Sequence, residues 1–152
     1  MKRKLENIFS DVENYNCFAC GPAHPFGLHL EFYYDDETRE VTCGITADTL
    51  FAGFPGILHG GIQATILDEV AFWGSWARHR RTGFTYDLSV RYKRKCPVNE
   101  PVEAFGIVGD IQNRLVPVDV TLRHPETLTV YTEGCVRYYF PRQDPRQPGT
   151  GG

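Results

Sequence analysis

One stretch governs what this chain can fold into. From Gly60 to about Arg80 there is no proline, and apolar residues return every third or fourth position: Ile62, Ile66, Val70, Trp73, Trp76 and Ala77. Ala64, Leu67, Ala71 and Phe72 fill much of the remaining circumference. A surface helix is apolar along one stripe, so a helix apolar nearly all round has to be enclosed. The flanking segments supply strands to enclose it. Leu28, Leu30, Phe32 and Tyr34 alternate with His29, Glu31 and Tyr33. Asp35-Asp36-Glu37 makes a turn, and Val41, Cys43 and Ile45 alternate again, which predicts a hairpin. Four more strands are predicted after the helix, over 84–92, 102–110, 115–122 and 128–140, with Asn113-Arg114 and His124-Pro125-Glu126 turning the chain between the last three. The expected fold is α+β, a curved antiparallel sheet of about six strands wrapped around one long central helix.

At 152 residues the chain is long enough for one substantial core. A net charge of −3 gives it no global attraction to nucleic acid or anionic lipid. No apolar run approaches the roughly 20 residues of a membrane span. Met1-Lys-Arg-Lys is followed by no apolar segment and reads as no secretory signal. With five scattered cysteines, this argues for reduced thiols and a cytoplasmic location. Residues 1–16 read as a polar lead-in compatible with helix, 17–140 as the folded domain, and the proline-rich 141–152 as a disordered tail.

The chemistry concentrates where the loop meets the helix, in Phe51-Ala-Gly-Phe-Pro-Gly-Ile-Leu-His59-Gly60-Gly61. No Ser, Thr, Asp or Asn precedes the two glycines. A helix start without its usual cap presents N–H donors and a positive dipole end to something else, although glycines there also suit a plain tight turn. Two turns on, Asp68 sits on a face made of Ala64, Thr65, Ala71 and Phe72. A carboxylate on so uncharged a face is partnered, raised in pKa or placed at a wet cleft. Glu69 lies about 100° further round the helix, so only one of the two faces a given cleft. Either acid could be a rim charge; the glycine turn ahead of them favours chemistry, with an oxyanion-binding amide and a shielded base or nucleophile as acyl transfer requires. Gly60 and Asp68 are eight residues apart, roughly 12 Å along one helix axis. One carbonyl cannot reach both in a single chain, so a site using both pairs two chains across a two-fold axis.

The run from Phe51 to Asp68 resembles the hotdog-fold acyl-CoA thioesterases of the phenylacetate-pathway and THEM type. Cys17-Phe-Ala-Cys-Gly-Pro-Ala-His-Pro-Phe-Gly-Leu28 is similar to the N-terminal segment of many bacterial members, and Thr85-Tyr-Asp-Leu-Ser-Val-Arg-Tyr-Lys93 to their strand after the helix. The resemblance spans roughly residues 17–140. It implies the same curved sheet around one helix, dimers that often pair into tetramers, and active sites at the dimer interface. By position it implies Asp68 as the catalytic carboxylate, His59 as the motif histidine, Gly60 as the oxyanion-hole amide and Thr85 as the residue that helps hold the attacking water. One subgroup carries Asn or Gln six residues before the histidine; Gly53 stands there in this chain. The implied activity is hydrolysis of an acyl-CoA thioester with no cofactor and no metal. Asp68 could serve as general base or as nucleophile. His59 could equally make only a structural hydrogen bond.

For the substrate, Gly61, Phe54 and Leu58 are candidates around the acyl group, and Arg91 and Lys93, with Arg94 and Lys95, for the phosphates of CoA. Trp73 and Trp76 could line the acyl pocket, but plain core packing suits them better. Arg78-His-Arg-Arg81 suits the helix C-terminal dipole. Cys17-X-X-Cys20, with His24 following, could be part of a zinc site. No second Cys pair or His pair completes four ligands, so a turn motif is the simpler reading. A second functional reading is a hotdog module that binds acyl-CoA as a sensor or carrier without turnover. A hotdog hydratase would need a differently placed acid–histidine pair.

Overall fold

The computed structural model describes residues 1–142. Seven strands form one antiparallel sheet: β1 (Lys2–Lys4), β2 (Tyr33–Asp35), β3 (Glu40–Thr46), β4 (Phe84–Tyr92), β5 (Pro101–Val108), β6 (Leu115–Arg123) and β7 (Val130–Tyr139). Their order across the sheet is β1-β2-β3-β5-β6-β7-β4. The single long helix α1 (Gly60–His79) lies against the inner face, packed on β3, β5, β6, β7 and β4. Among the described residues no helix is long and apolar enough to cross a membrane.

The helix is enclosed as its all-round apolarity demands: Ile66, Leu67, Val70, Ala71, Trp73 and Ala77 are buried. Opposite them, Val116, Val118, Val120 and Leu122 of β6 present every second side chain to the core, the period-two pattern of a half-buried strand. Two glycines set how close helix and sheet come. A Cβ on Gly74 would stand 2.7 Å from Val41 Cγ1 and 2.8 Å from Val108 Cγ2, and one on Gly106 would stand 2.9 Å from Val70 Cγ1. Gly74→Val should therefore overpack the core and cost about 1–3 kcal/mol, visible as a lower urea midpoint with unchanged slope.

Helix α1 and strands β4–β7 lie where the periodicities predict them, and Asn113-Arg114 turns the chain with both residues at positive φ. The strand count is seven rather than about six, and the differences lie at the N-terminus. Residues 1–16 are stitched to the domain rather than forming a helical lead-in. β1 pairs with β2, Arg3 bridges Asp36 at 2.8 Å, Lys4 bridges Glu31 at 2.9 Å, and Leu5 is buried. The stretch 28–34 keeps its alternating burial, but only its end joins the ladder. His29 takes positive φ, and the amides of Leu28 and Leu30 donate to the carbonyls of Phe18 and Ala19. The expected disorder of 141–152 falls, from residue 143 onward, outside the described residues.

Candidate active site

The loop before the helix is fixed at both sides. Asp48 caps a short 3-10 turn over Thr49–Phe51, Gly56 supplies a left-handed turn (φ 76°), the Leu58 amide donates to the Cys96 carbonyl, and the His59 amide donates to the Phe51 carbonyl. The chain thus delivers His59 to the helix N-cap, where its Nδ1 accepts the Gly61 N–H at 2.9 Å. This corrects two sequence expectations. The helix start does have a cap, supplied by an imidazole rather than by a residue type usual at that position. The Gly61 N–H is therefore taken up inside the protein, leaving Gly60 as the glycine donor. No group among the described residues accepts the Gly60 N–H. Gly53 packs on His59, where a Cβ would stand 3.3 Å from the ring.

Two residues that sequence reasoning missed build the rest of this end. The Tyr92 hydroxyl donates to the Gly60 carbonyl at 2.7 Å, holding the helix start to the end of β4. Gln63, buried within the first turns, donates to the Leu58 carbonyl at 2.8 Å and accepts the hydroxyl of buried Thr132. Its only sequence signal was an amide on a helix otherwise apolar there. Gln63→Leu leaves a buried carbonyl and a buried hydroxyl unpaired; it should cost about 1–3 kcal/mol for each orphaned group, measured by chemical denaturation.

A cavity of about 830 Å³ opens over this helix start, lined by Phe54, Leu58, Gly60, Gln63, Tyr92 and Arg94 among others. Phe54 stands exposed at its mouth, while Leu58 is buried at its back. Lys93, Arg94 and Lys95 bring positive charge to its rim, with the Lys93 ammonium already bridged to Glu133 at 2.8 Å. Arg91 does not join them. It sits on another part of the sheet surface, lining a groove with Asp119 and Glu133. β4 ends at Tyr92, so Lys93, Arg94 and Lys95 follow the strand, with the amides of Lys93 and Arg94 both donating to the Tyr131 carbonyl, while Arg91 is held within the ladder opposite Glu133. Trp73 is core, stacked on Phe32 at 5.7 Å, and Trp76 carries the Arg80 guanidinium over its ring at 4.6 Å.

Asp68 and Thr85 meet. The Thr85 hydroxyl donates to Asp68 Oδ1 at 2.7 Å. Thr85 can reach because β4 is irregular between Thr85 and Asp87 in its pairing with β7, the kind of local re-aiming a bulge provides. Burial pushes the Asp68 carboxyl above its usual range, and the Thr85 bond opposes this. Glu69 faces elsewhere, toward Cys17 and Cys20, and burial pushes it up to about 7. Asp68 does not line the Gly60 cavity, as the axial separation of the two residues requires.

The Asp68–Thr85 pair and the Gly60–Tyr92 pair lie at the two ends of one edge. β4 is the last strand of the sheet, with Thr85 beside Asp68 at its start and Tyr92 beside Gly60 at its finish. Phe84, Tyr86, Leu88 and Tyr92 are exposed along it.

The thioesterase superfamily model matches residues 55–131, from the loop through the helix into β7. The chain belongs to the thioesterase superfamily. Among curated proteins it is similar to acyl-coenzyme A thioesterase THEM4 of Rattus norvegicus, 27% identical over 82% of this chain and 52% of the relative. It is similar also to THEM4 of Xenopus laevis, 26% identical over 74% of this chain and 50% of the relative. The chain thus spans about half the length of the curated relatives it matches. Among solved structures, a thioesterase superfamily protein aligns with TM-score 0.72 at 24% identity, covering 81% of this chain and 62% of the other. A Streptococcus mutans protein bound to acetyl CoA aligns with TM-score 0.65 at 15% identity, covering 74% and 88%. The architecture of one helix in an antiparallel sheet is the hotdog fold, shared with these solved structures.

Proposed function

We propose that this chain hydrolyses acyl-CoA thioesters at sites shared between two copies, Gly60 coming from one and Asp68 with Thr85 from the other. The observation that carries this is the placement of the two half-sites at opposite ends of the unpaired β4 edge. An exposed edge strand with apolar side chains is a ready template for another strand. If two β4 edges pair antiparallel about a two-fold axis near Leu88 and Ser89, the Thr85 end of one meets the Tyr92 end of its mate. Each Asp68 is then carried toward the partner's Gly60, closing the separation that one helix cannot.

In such a site the thioester carbonyl oxygen takes the Gly60 N–H, at the positive end of the helix dipole, where charge develops as the carbonyl carbon becomes tetrahedral. Thr85 ties down one Asp68 oxygen, leaving the other to accept a proton from water. The threonine oxygen keeps lone pairs beside it to accept that water's hydrogen bond. The leaving thiolate needs little acid assistance, which suits a site with so few polar groups. Arg94 and Lys95 at the cavity rim suit the phosphates of CoA. The names of the relatives, acyl-coenzyme A thioesterases, and the acetyl CoA bound in the Streptococcus mutans protein support the same class of substrate.

Thiol release followed with a chromogenic reagent, across short, long and aromatic acyl-CoAs, tests this reading. Free CoA from at least one class, by a species that sizes as a dimer or larger, is expected. Tight binding of acyl-CoA with release from none would replace it with the sensor or carrier reading.

A further inference from the structure

Away from the Asp68 face, three metal-ligating side chains converge. Cys17 Sγ, Cys20 Sγ and a Glu69 carboxylate oxygen all lie within 4.8 Å of one another. Two come from a tight turn near the N-terminus and the third from the middle of α1, far along the chain. We propose that these three residues bind one zinc-class divalent ion, which fastens the N-terminal segment to the central helix.

The turn is tightly closed. In Cys17-Phe-Ala-Cys20-Gly21 the Gly21 amide donates to the Cys17 carbonyl at 2.9 Å. A Cβ at position 21 would stand 2.5 Å from that carbonyl oxygen, so only glycine closes the turn this tightly. Cys20 has its own support: the Tyr15 hydroxyl lies 3.1 Å from its sulfur, and the Asn7 amide donates both to that hydroxyl and to the Cys20 carbonyl. Hydrogen bonds of this kind orient ligands in metal sites. On the helix side, Glu69 Oε2 is buried with no hydrogen-bond partner among the described residues, a state that costs free energy unless something coordinates it.

Two thiolates and one carboxylate are too soft a set for magnesium or calcium and suit zinc, which cobalt(II) can replace. Three protein ligands leave a fourth position for water. A groove of about 610 Å³, lined by Asn7, Cys20 and Trp73 among others, runs past the turn and gives an ion a way in. Glu69 lies about 100° round the helix from Asp68, so the ion serves the fold and takes no part in the proposed hydrolysis. The inference stands apart from that hydrolysis.

The full chain, purified under reducing conditions, is tested with zinc and with cobalt(II). About one zinc per chain should survive gel filtration, and cobalt(II) should give a thiolate-to-metal charge-transfer band in the near ultraviolet. Cys17→Ser and Cys20→Ser should each abolish that band, and Glu69→Gln should weaken zinc binding by at least about tenfold. Chelator should lower the melting temperature of the wild type and leave that of Cys20→Ser unmoved. Asp68→Asn should keep both metal and band, separating this site from the proposed catalytic one. Absence of the cobalt band in the reduced wild type overturns the proposal. So does a Glu69→Gln variant that binds zinc like the wild type, or a chain whose Cys17 and Cys20 are isolated as a disulfide and take up no metal once reduced.

Discussion

Asp68→Asn is expected to lower kcat/KM for the best acyl-CoA by about 10²–10⁴-fold, the range over which a positioned base contributes, without lowering the melting temperature. The two halves of this expectation have one cause. Asp68 is held in a mostly apolar setting with one hydrogen bond, from Thr85, and burial disfavours its charge. Asn keeps an oxygen to accept the Thr85 hydroxyl and removes the ionised form that the setting resists. A group retained against the fold's preference is there for another reason, and the stability–activity trade-off makes that visible. Glu69→Gln is the matched control, one residue along but turned toward Cys20, and should keep turnover within about tenfold of wild type. The readouts are thiol release, thermal melting and size by light scattering. Folded Asp68→Asn dimers with wild-type turnover would remove Asp68 from the mechanism.

How far such a site could be read beforehand depended on the range of the interactions that build it. Periodicity is local, and α1 with β4 to β7 was legible because each carries enough residues to show its repeat. β1 was not: three residues have no period, and Lys2–Lys4 become a strand only because Tyr33–Asp35 lie alongside, with Glu31 and Asp36 to meet the charges. Asp68 and Gly60 could be singled out from residue type and spacing and Thr85 only through the resemblance of its strand, and the Asp68–Thr85 bond joins two of them. The Arg91–Lys95 cluster could not be sorted by type, because the point at which β4 ends decides which cations reach the cavity. Single-residue geometry was also out of reach. The His59 cap depends on a ring nitrogen arriving 2.9 Å from one amide, and Gln63 matters through partners at Leu58 and Thr132. The third ligand of the Cys17–Cys20 turn was hidden for the same reason, since Glu69 joins it only through the tertiary fold.

Gly60→Pro should reduce turnover by about 10²–10³-fold, the usual cost of losing one oxyanion donor, while leaving the protein folded. Proline is suited to the first helical position, where the lost N–H had no intrahelical acceptor. His59 before it sits at φ −55° and ψ 135°, the extended conformation that a following proline prefers. A Cβ at position 60 would meet the Tyr92 ring at 3.4 Å, an ordinary contact. The variant therefore deletes a donor with little else. Its full use is in combination. When Gly60→Pro and Asp68→Asn chains are unfolded together in equal amounts and refolded, half the dimers are mixed. If each site takes its amide from one chain and its acid from the other, every mixed dimer holds one site with both defects and one with neither. Activity should return to about one quarter of wild type, from two parents that are each nearly inactive. If amide and acid instead served one site within a single chain, every site in the mixture would carry a defect, and no activity would return.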